Sequence, residues 1–182
     1  MVAMVIAWKR LDARGLERCE LAPDTRGWSL RGTILLSDAG QRFEARYELV
    51  CDSAWRTRAI AIDVRRPDGE RSRRFTVEDG RWSLDGTEID AVRGCIDVDL
   101  AWTPSTNTLP IRRLELAVGQ SQAVTAAWVR FPDLTVEPLP QEYLRLAERR
   151  YRYSSAGGRF VAELEVDEHG LVTTYGDIWA RA

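Results

Sequence analysis

Apolar and polar residues alternate with a period of two along most of this chain, and that spacing restricts the fold more than any other feature. In RFEARYELVCD, Phe43, Ala45, Tyr47, Leu49 and Cys51 fall on one face and Arg42, Glu44, Arg46 and Glu48 on the other. GWSLRGTILLS sets Trp28, Leu30, Ile34 and Leu36 on one face, and FVAELEVD opposes Phe160, Ala162, Leu164 and Val166 to Glu163, Glu165 and Asp167. Successive strand side chains point to opposite sides of a sheet, so each run reads as a half-buried antiparallel strand. Gly-ended turn signals recur at short intervals in SDAG, RPDG, EDG, LDG, SSAGG and DEHG. The pattern predicts a mainly β fold: a many-stranded antiparallel sheet curled into a half-barrel or barrel around a single helix, in one domain spanning residues 1–182.

Four segments depart from simple alternation. EYLRLAERR (Glu142 to Arg150) follows a proline, is rich in helix formers and fits one helical face, which makes it a candidate for the helix, though the pattern leaves the helix's position open. TPSTNT is expected to open a short helical turn with Pro104 at its first position. WRTRAIAIDVRR places Arg56 and Arg58 in phase with Ile60, Ile62 and Val64; if that face lines an interior, both guanidinium groups need anionic partners there. QAVTAAWVRF is apolar on both faces, which calls for cover on both sides by a helix, a second layer or another subunit.

Several function classes fit the composition poorly. The net charge of −2 gives no basic field for nucleic acid. Cys19, Cys51 and Cys95 are scattered, without metal-ligand spacing or a disulfide framework, and are read as buried thiols in a reducing compartment. The opening MVAMVIAWKRLD has its charges after a short apolar run, unlike a secretory signal, and no apolar span reaches 18 residues. A cytoplasmic location is expected. His169, the single histidine, sits in the turn DEHG, so neither a nucleophile–histidine system nor a zinc site is expected. No Gly-rich phosphate loop is present, and no cofactor, metal or catalytic residue is assigned.

The stretch GCIDVDLAWTPSTNTLPIRRL (Gly94 to Leu114) is the strongest candidate for a site. On a strand, Asp97 and Asp99 share a face with Cα atoms about 6.8 Å apart. They lead into a turn rich in directional hydrogen-bonding groups, among them Asn107, Arg112 and Arg113. Paired carboxylates accept bonds from vicinal hydroxyls, as a sugar site requires, and their spacing is compatible with the roughly 6.5–9.5 Å of an inverting acid/base pair. Two carboxyls on one strand are expected to share nearly one environment, which disfavours the separated pKa values of acid/base work. The two arginines offer a third outcome, a structural ion-pair network. Seven tryptophans, Trp55 among them, supply faces that stack on sugars or pack in the core.

WRTR at Trp55 to Arg58, GRW at Gly80 to Trp82, GCIDVDL followed by TPSTNTLPIRRL, and the late FVAELEVDEHGLVTTY resemble a bacterial family named for glycolipid binding, over essentially the whole chain. The position after the TP pair is commonly aromatic in that family; here it is Ser105. The resemblance implies a sheet wrapped around one helix, a tight homodimer, a shape similar to lipoprotein carrier half-barrels, and an acidic pocket for a sugar or phospholipid headgroup. Asp97 and Asp99 match that pocket best. The expected function is non-catalytic binding of a glycolipid or similar amphiphile, connected with glycolipid or cell-envelope metabolism. Asp97, Asp99, Asn107, Arg112, Arg56, Arg58 and Trp55 are the ligand-binding candidates, and an apolar concave sheet face is to take the acyl part. The alternatives are a dimeric protein-interaction module and a carbohydrate- or lipid-active enzyme using the Asp pair.

Overall fold

The computed structural model describes residues 2–38, 41–131 and 133–182, with Asp38 and Gln41 described through their backbones alone. Part of the expected SDAG turn lies outside these residues. The chain forms β1 (Met4–Arg10), β2 (Arg14–Asp24), β3 (Gly27–Asp38), β4 (Gln41–Asp52), β5 (Thr57–Arg66), β6 (Gly69–Glu78), β7 (Arg81–Leu84) and β8 (Thr87–Glu88) as one meander. After β9 (Asp97–Leu100) and the helix α1 (Thr108–Leu114), β10 (Ser121–Val129), β11 (Val136–Ala147), β12 (Arg150–Ser155), β13 (Phe160–Val166), β14 (Val172–Tyr175) and β15 (Trp179–Arg181) form a second. β1 pairs with β15, so both meanders belong to one fifteen-stranded sheet that runs from β8 to β9. Neighbouring strands are antiparallel except β9 and β10, which run parallel because α1 and its flanking loops carry the chain across.

Two tight hairpins show local chemistry matching the sheet. Asp79–Gly80 and Asp85–Gly86 each hold two successive residues at positive φ, the geometry of type I′ turns whose twist suits flanking antiparallel strands. The sheet is curled without a closing ladder, and the segment leading into β9 is bonded back to β5 and to the β6–β7 turn. Thr57 N–H donates to the Ile96 carbonyl at 3.1 Å, and Gly94 N–H to the Gly80 carbonyl at 2.7 Å. No helix among the described residues is long and apolar enough to cross a membrane.

The inward positions of β3 and β4, and those of β5 from Ile60 onward, are those read from the alternation, and β1 and β6 add Ile6, Trp8 and Phe75. Ile6, Trp8, Leu30, Ile34, Ala45, Leu49, Ile60, Ile62 and Phe75 are all buried in one core. The partner for this face comes from the central stretch itself, since Val98, Leu100, Trp102 and Leu109 enter the same cluster. A second cluster joins Ile111 of α1 and Leu116 to Tyr143, Tyr151, Tyr153, Leu164, Val166 and Val172. The concave face is therefore packed with the chain's own side chains, and the expectation that it would take an acyl chain is corrected. Strand β10 is covered on both sides within the chain: Ala127 and Val129 enter the first core, while Val124 packs against the second.

Two other expectations are corrected. Residues 142–147 belong to strand β11 and residues 150–155 to β12, so the candidate helix over Glu142 to Arg150 is a hairpin. In that stretch Tyr143 faces inward and Glu142 outward, and pairing with β10 and β12 overrides helix propensity. The one α-helix among the described residues is instead Thr108–Leu114, entered through the 3-10 turn Ser105–Asn107 that follows Pro104. Pro110 is tolerated because it lies in the first turn, where a backbone N–H has no helical acceptor. The inward arginines of β5 are the second case. The register shifts between Val50 and Cys51, which pair with Ala59 and Thr57, and this bulge lies at Arg58. Thr57 is buried in its place, Arg58 turns to Asp52 at 2.8 Å, and Arg56 is exposed.

Gly32 is needed for a close approach. A Cβ there would lie inside the van der Waals envelope of the Tyr47 ring, its cross-strand neighbour. The Gly32→Ala variant is expected to lose about 2 kcal/mol of stability through overpacking, read as a lowered urea midpoint with unchanged slope. A midpoint equal to that of the native sequence would show that the ring moves aside freely.

Candidate functional site

The aspartates of β9 point inward, on the face opposite Val98 and Leu100, but they meet different partners. Asp97 is 1% exposed and is gripped by Arg113 of α1, whose Nε and Nη2 donate to the two carboxyl oxygens at 3.1 and 2.5 Å. Burial pushes this carboxyl above its ordinary value and the guanidinium pulls against it. A groove of about 380 Å³, lined by Ile96, Leu114, Gln122 and Val124, opens beside the pair. A bidentate pair of this kind fixes α1 against β9 and leaves neither carboxyl oxygen idle.

Asp99 is half-buried. Its Oδ2 accepts from the side-chain amide of Gln141 at 2.5 Å, with the Tyr153 hydroxyl 3.4 Å away. Its Oδ1 has no partner among the described residues. Burial raises its pKa to about 6, against the lowering effect of those two bonds. Aromatic rings surround it. Tyr153 packs against Tyr143 at 5.2 Å between centroids, and Tyr153, Phe160 and Tyr175 form an edge-to-face trio at about 6 Å spacing. Asn107 reaches this cluster through Tyr143, whose hydroxyl donates to its side-chain carbonyl at 2.8 Å, while its amide caps the Pro104 carbonyl at 3.1 Å. The expectation of one shared environment is therefore corrected: Asp97 is salt-bridged, and Asp99 sits in an amide and tyrosine setting.

The remaining candidates lie elsewhere. Arg112, adjacent to Arg113, does not join the aspartates; its guanidinium lies 5.2 Å over the Trp55 ring. Trp55, held at φ 62°, stacks on Trp28 at 5.0 Å. Arg58 is bound to Asp52, and Arg56 stands in solvent. An apolar surface left open lies at the ends of β2–β5, a groove of about 620 Å³ where Leu16, Leu35, Leu36 and Phe43 meet, with arginines at its rim.

Sequence reasoning missed Gln141, Tyr143 and Tyr153, and it missed Glu17. Glu17 is 2% exposed. The hydroxyls of Tyr47 and Thr103 donate to its Oε1 at 2.6 and 2.8 Å, and the Ser105 hydroxyl lies 2.7 Å from that of Tyr47. Oε2 has no partner among the described residues, and burial pushes the pKa up to about 8. Burial thus favours the protonated form of this carboxyl. One signal was available: Glu17 falls in phase with Cys19 and Leu21, an acid on an apolar face.

Both raised carboxyls make stability depend on pH. In the unfolded chain Glu17 and Asp99 release their protons near the ordinary values of 4.5 and 3.8, whereas folded they hold them to about 8 and about 6. The favourable contribution of Glu17 is complete below about pH 4.5 and is lost as pH rises toward 8, by at most about 1.4 kcal/mol per pH unit. The Glu17→Gln variant is expected to flatten the plot of urea midpoint against pH over that window; an unchanged slope would mean that the carboxyl ionises in the fold. Asp97→Asn is expected to cost about 3 kcal/mol by stranding Arg113, whereas Asp99→Asn is expected to raise thermal stability at pH 7, where the native carboxyl is ionised against the cost of its burial.

The comparisons with known proteins agree with this architecture. Among curated proteins, none matches the chain. A crystal structure of a DUF1089 family protein from Pseudomonas aeruginosa superposes with a TM-score of 0.84 at 32% identity, over 92% of each chain. The family described as "Putative glycolipid-binding" matches residues 5–181, and this chain belongs to that family.

Proposed function

We propose that the protein binds, without transforming, the hydroxyl-rich headgroup of a glycolipid or similar amphiphile, and that Asp99 is the principal acceptor. The observation that carries this reading is the partly exposed carboxyl with one oxygen anchored by Gln141 and the other open, beside an aromatic trio. A carboxylate accepts from two vicinal hydroxyls, and ring faces and edges cover the apolar side of a sugar. Membership of a family named for glycolipid binding supports the same class. Asp97 contributes by position: held by Arg113, it keeps β9 in register with the helix. This engagement also disfavours a paired-carboxylate enzyme, because the second carboxyl has no freedom to move a proton. The ligand's apolar part is assigned outside the concave face, which is filled.

The test is a titration of soluble glycosides and short-chain glycolipids into the protein at pH 7, read by calorimetry or native mass spectrometry. Saturable binding is expected, weakened at least tenfold in Asp99→Asn and Gln141→Leu variants that still unfold cooperatively. Affinity should fall as pH drops through about 6, where Asp99 takes up its proton. Binding insensitive to both substitutions and to pH would place the ligand elsewhere.

A further inference from the structure

Arg112 is left over from the site described above, and its surroundings are unusual for a cation. Its stem lies against Gly170, where a Cβ would come within 2.8 Å of Cδ, and its guanidinium covers Trp55. No acid or carbonyl among the described residues accepts from it, and its Nε is buried without a partner. It lines a cleft of about 360 Å³ between α1 and the β11–β12 and β13–β14 turns.

Arg145 reaches the same cleft from β11. It is held by carbonyls, with Nη1 donating to Leu116 at 2.6 Å, Nη2 to Glu148 at 2.5 Å and Nε to Ala147 at 3.3 Å. Backbone carbonyls orient a guanidinium without cancelling its charge. Arg145 also lies 5.7 Å over the Tyr151 ring, and Tyr151 lines the cleft with a hydroxyl that no described residue bonds. Burial raises the Tyr151 pKa, and the charges of both Arg145 and Arg112 oppose that rise, so both cations act on one hydroxyl.

Carboxylates are present too. Glu115, Glu148 and Glu168 are exposed at the mouth, and Glu168 is engaged with Arg149 at 3.6 Å. The half-buried Asp167 spends Oδ1 on the backbone N–H groups of His169 and Leu171. Screening by water weakens the acids at the mouth more than the two partly buried arginines.

We propose that this cleft binds a phosphate-type oxyanion, held between Arg112 and Arg145 with the Tyr151 hydroxyl as a further donor. Planar guanidinium groups with unused N–H donors match tetrahedral oxyanions, and a site built on a packed stem and carbonyl-fixed partners is preorganised for them. The anion is either free or the phosphate of a lipid headgroup. The inference is independent of Asp99, whose partners Gln141 and Tyr153 do not line the cleft.

The test uses the full chain. Inorganic phosphate is titrated at constant ionic strength and followed by calorimetry, with sedimentation on phosphatidic acid vesicles beside phosphatidylcholine vesicles. Saturable phosphate binding is expected, at least tenfold weaker in Arg112→Gln, partly restored in Arg112→Lys, and unchanged in Arg31→Gln on the sheet's outer face. Phosphate-competed retention on phosphatidic acid vesicles, lost in Arg112→Gln, assigns the anion to a headgroup; phosphate binding without retention assigns it to a free ion. If Arg112→Gln fails to fold, Tyr151→Phe decides, with a severalfold loss expected. Absence of saturable phosphate binding by the folded native protein overturns the proposal, as does binding that neither substitution alters. Loss in Asp99→Asn with none in the cleft variants would place the anion at the other site.

Discussion

A sheet that curls has a concave face to cover, and here one continuous stretch, residues 98–116, covers it. Val98, Leu100, Trp102 and Leu109 fill the first core, and Ile111 and Leu116 start the second. This plug is short and irregular, so it brings polar groups with it. They are satisfied by specific partners: Asp97 by Arg113, Asn107 by Tyr143 and the Pro104 carbonyl, Thr103 and Ser105 by Glu17 and Tyr47. The Tyr47 ring can lie across β3 because residue 32 has no side chain. Sheet and plug are thus matched by hydrogen bonds as well as by volume, and buried polar groups left unmatched would be costly.

The adjacent residues Arg112 and Arg113 show how this plug divides labour. On a helix, neighbouring side chains point about a quarter-turn apart. Arg113 closes on β9 and becomes structural, while Arg112 turns toward Trp55 and Gly170 on another side. Sequence adjacency suggested one site; helical geometry makes two neighbourhoods, one carrying an acidic acceptor and the other two unneutralised cations.

The strands and their inward faces were legible because period-two alternation is a direct consequence of strand geometry, as Phe43 to Cys51 and Phe160 to Val166 show. The prominence of Gly94 to Leu114 was legible as well, while the orientation of Asp97 and Asp99 was not. The candidate helix was misplaced because Glu142 to Arg150 contains good helix formers, while ladder pairing with β10 and β12, invisible locally, decided the outcome. Arg58 was misplaced because a single bulge reverses every orientation before it on that strand. Gln141 and Tyr153 were missed because they meet Asp99 across 42 and 54 residues of chain, a proximity that depends on the register of three strands.

The join between β1 and β15 has a consequence for how the molecule is made. Each meander is built from neighbouring hairpins and can zip locally as it leaves the ribosome. The seam between them is narrow: three register pairs, flanked by the bonds from Leu11 to Ile178 and from Ala182 to Ala7. Until residues 179–181 emerge, β1 has an unpaired outer edge while half the sheet already stands. During that interval the nascent chain offers a free strand edge at β1 to any neighbouring polypeptide.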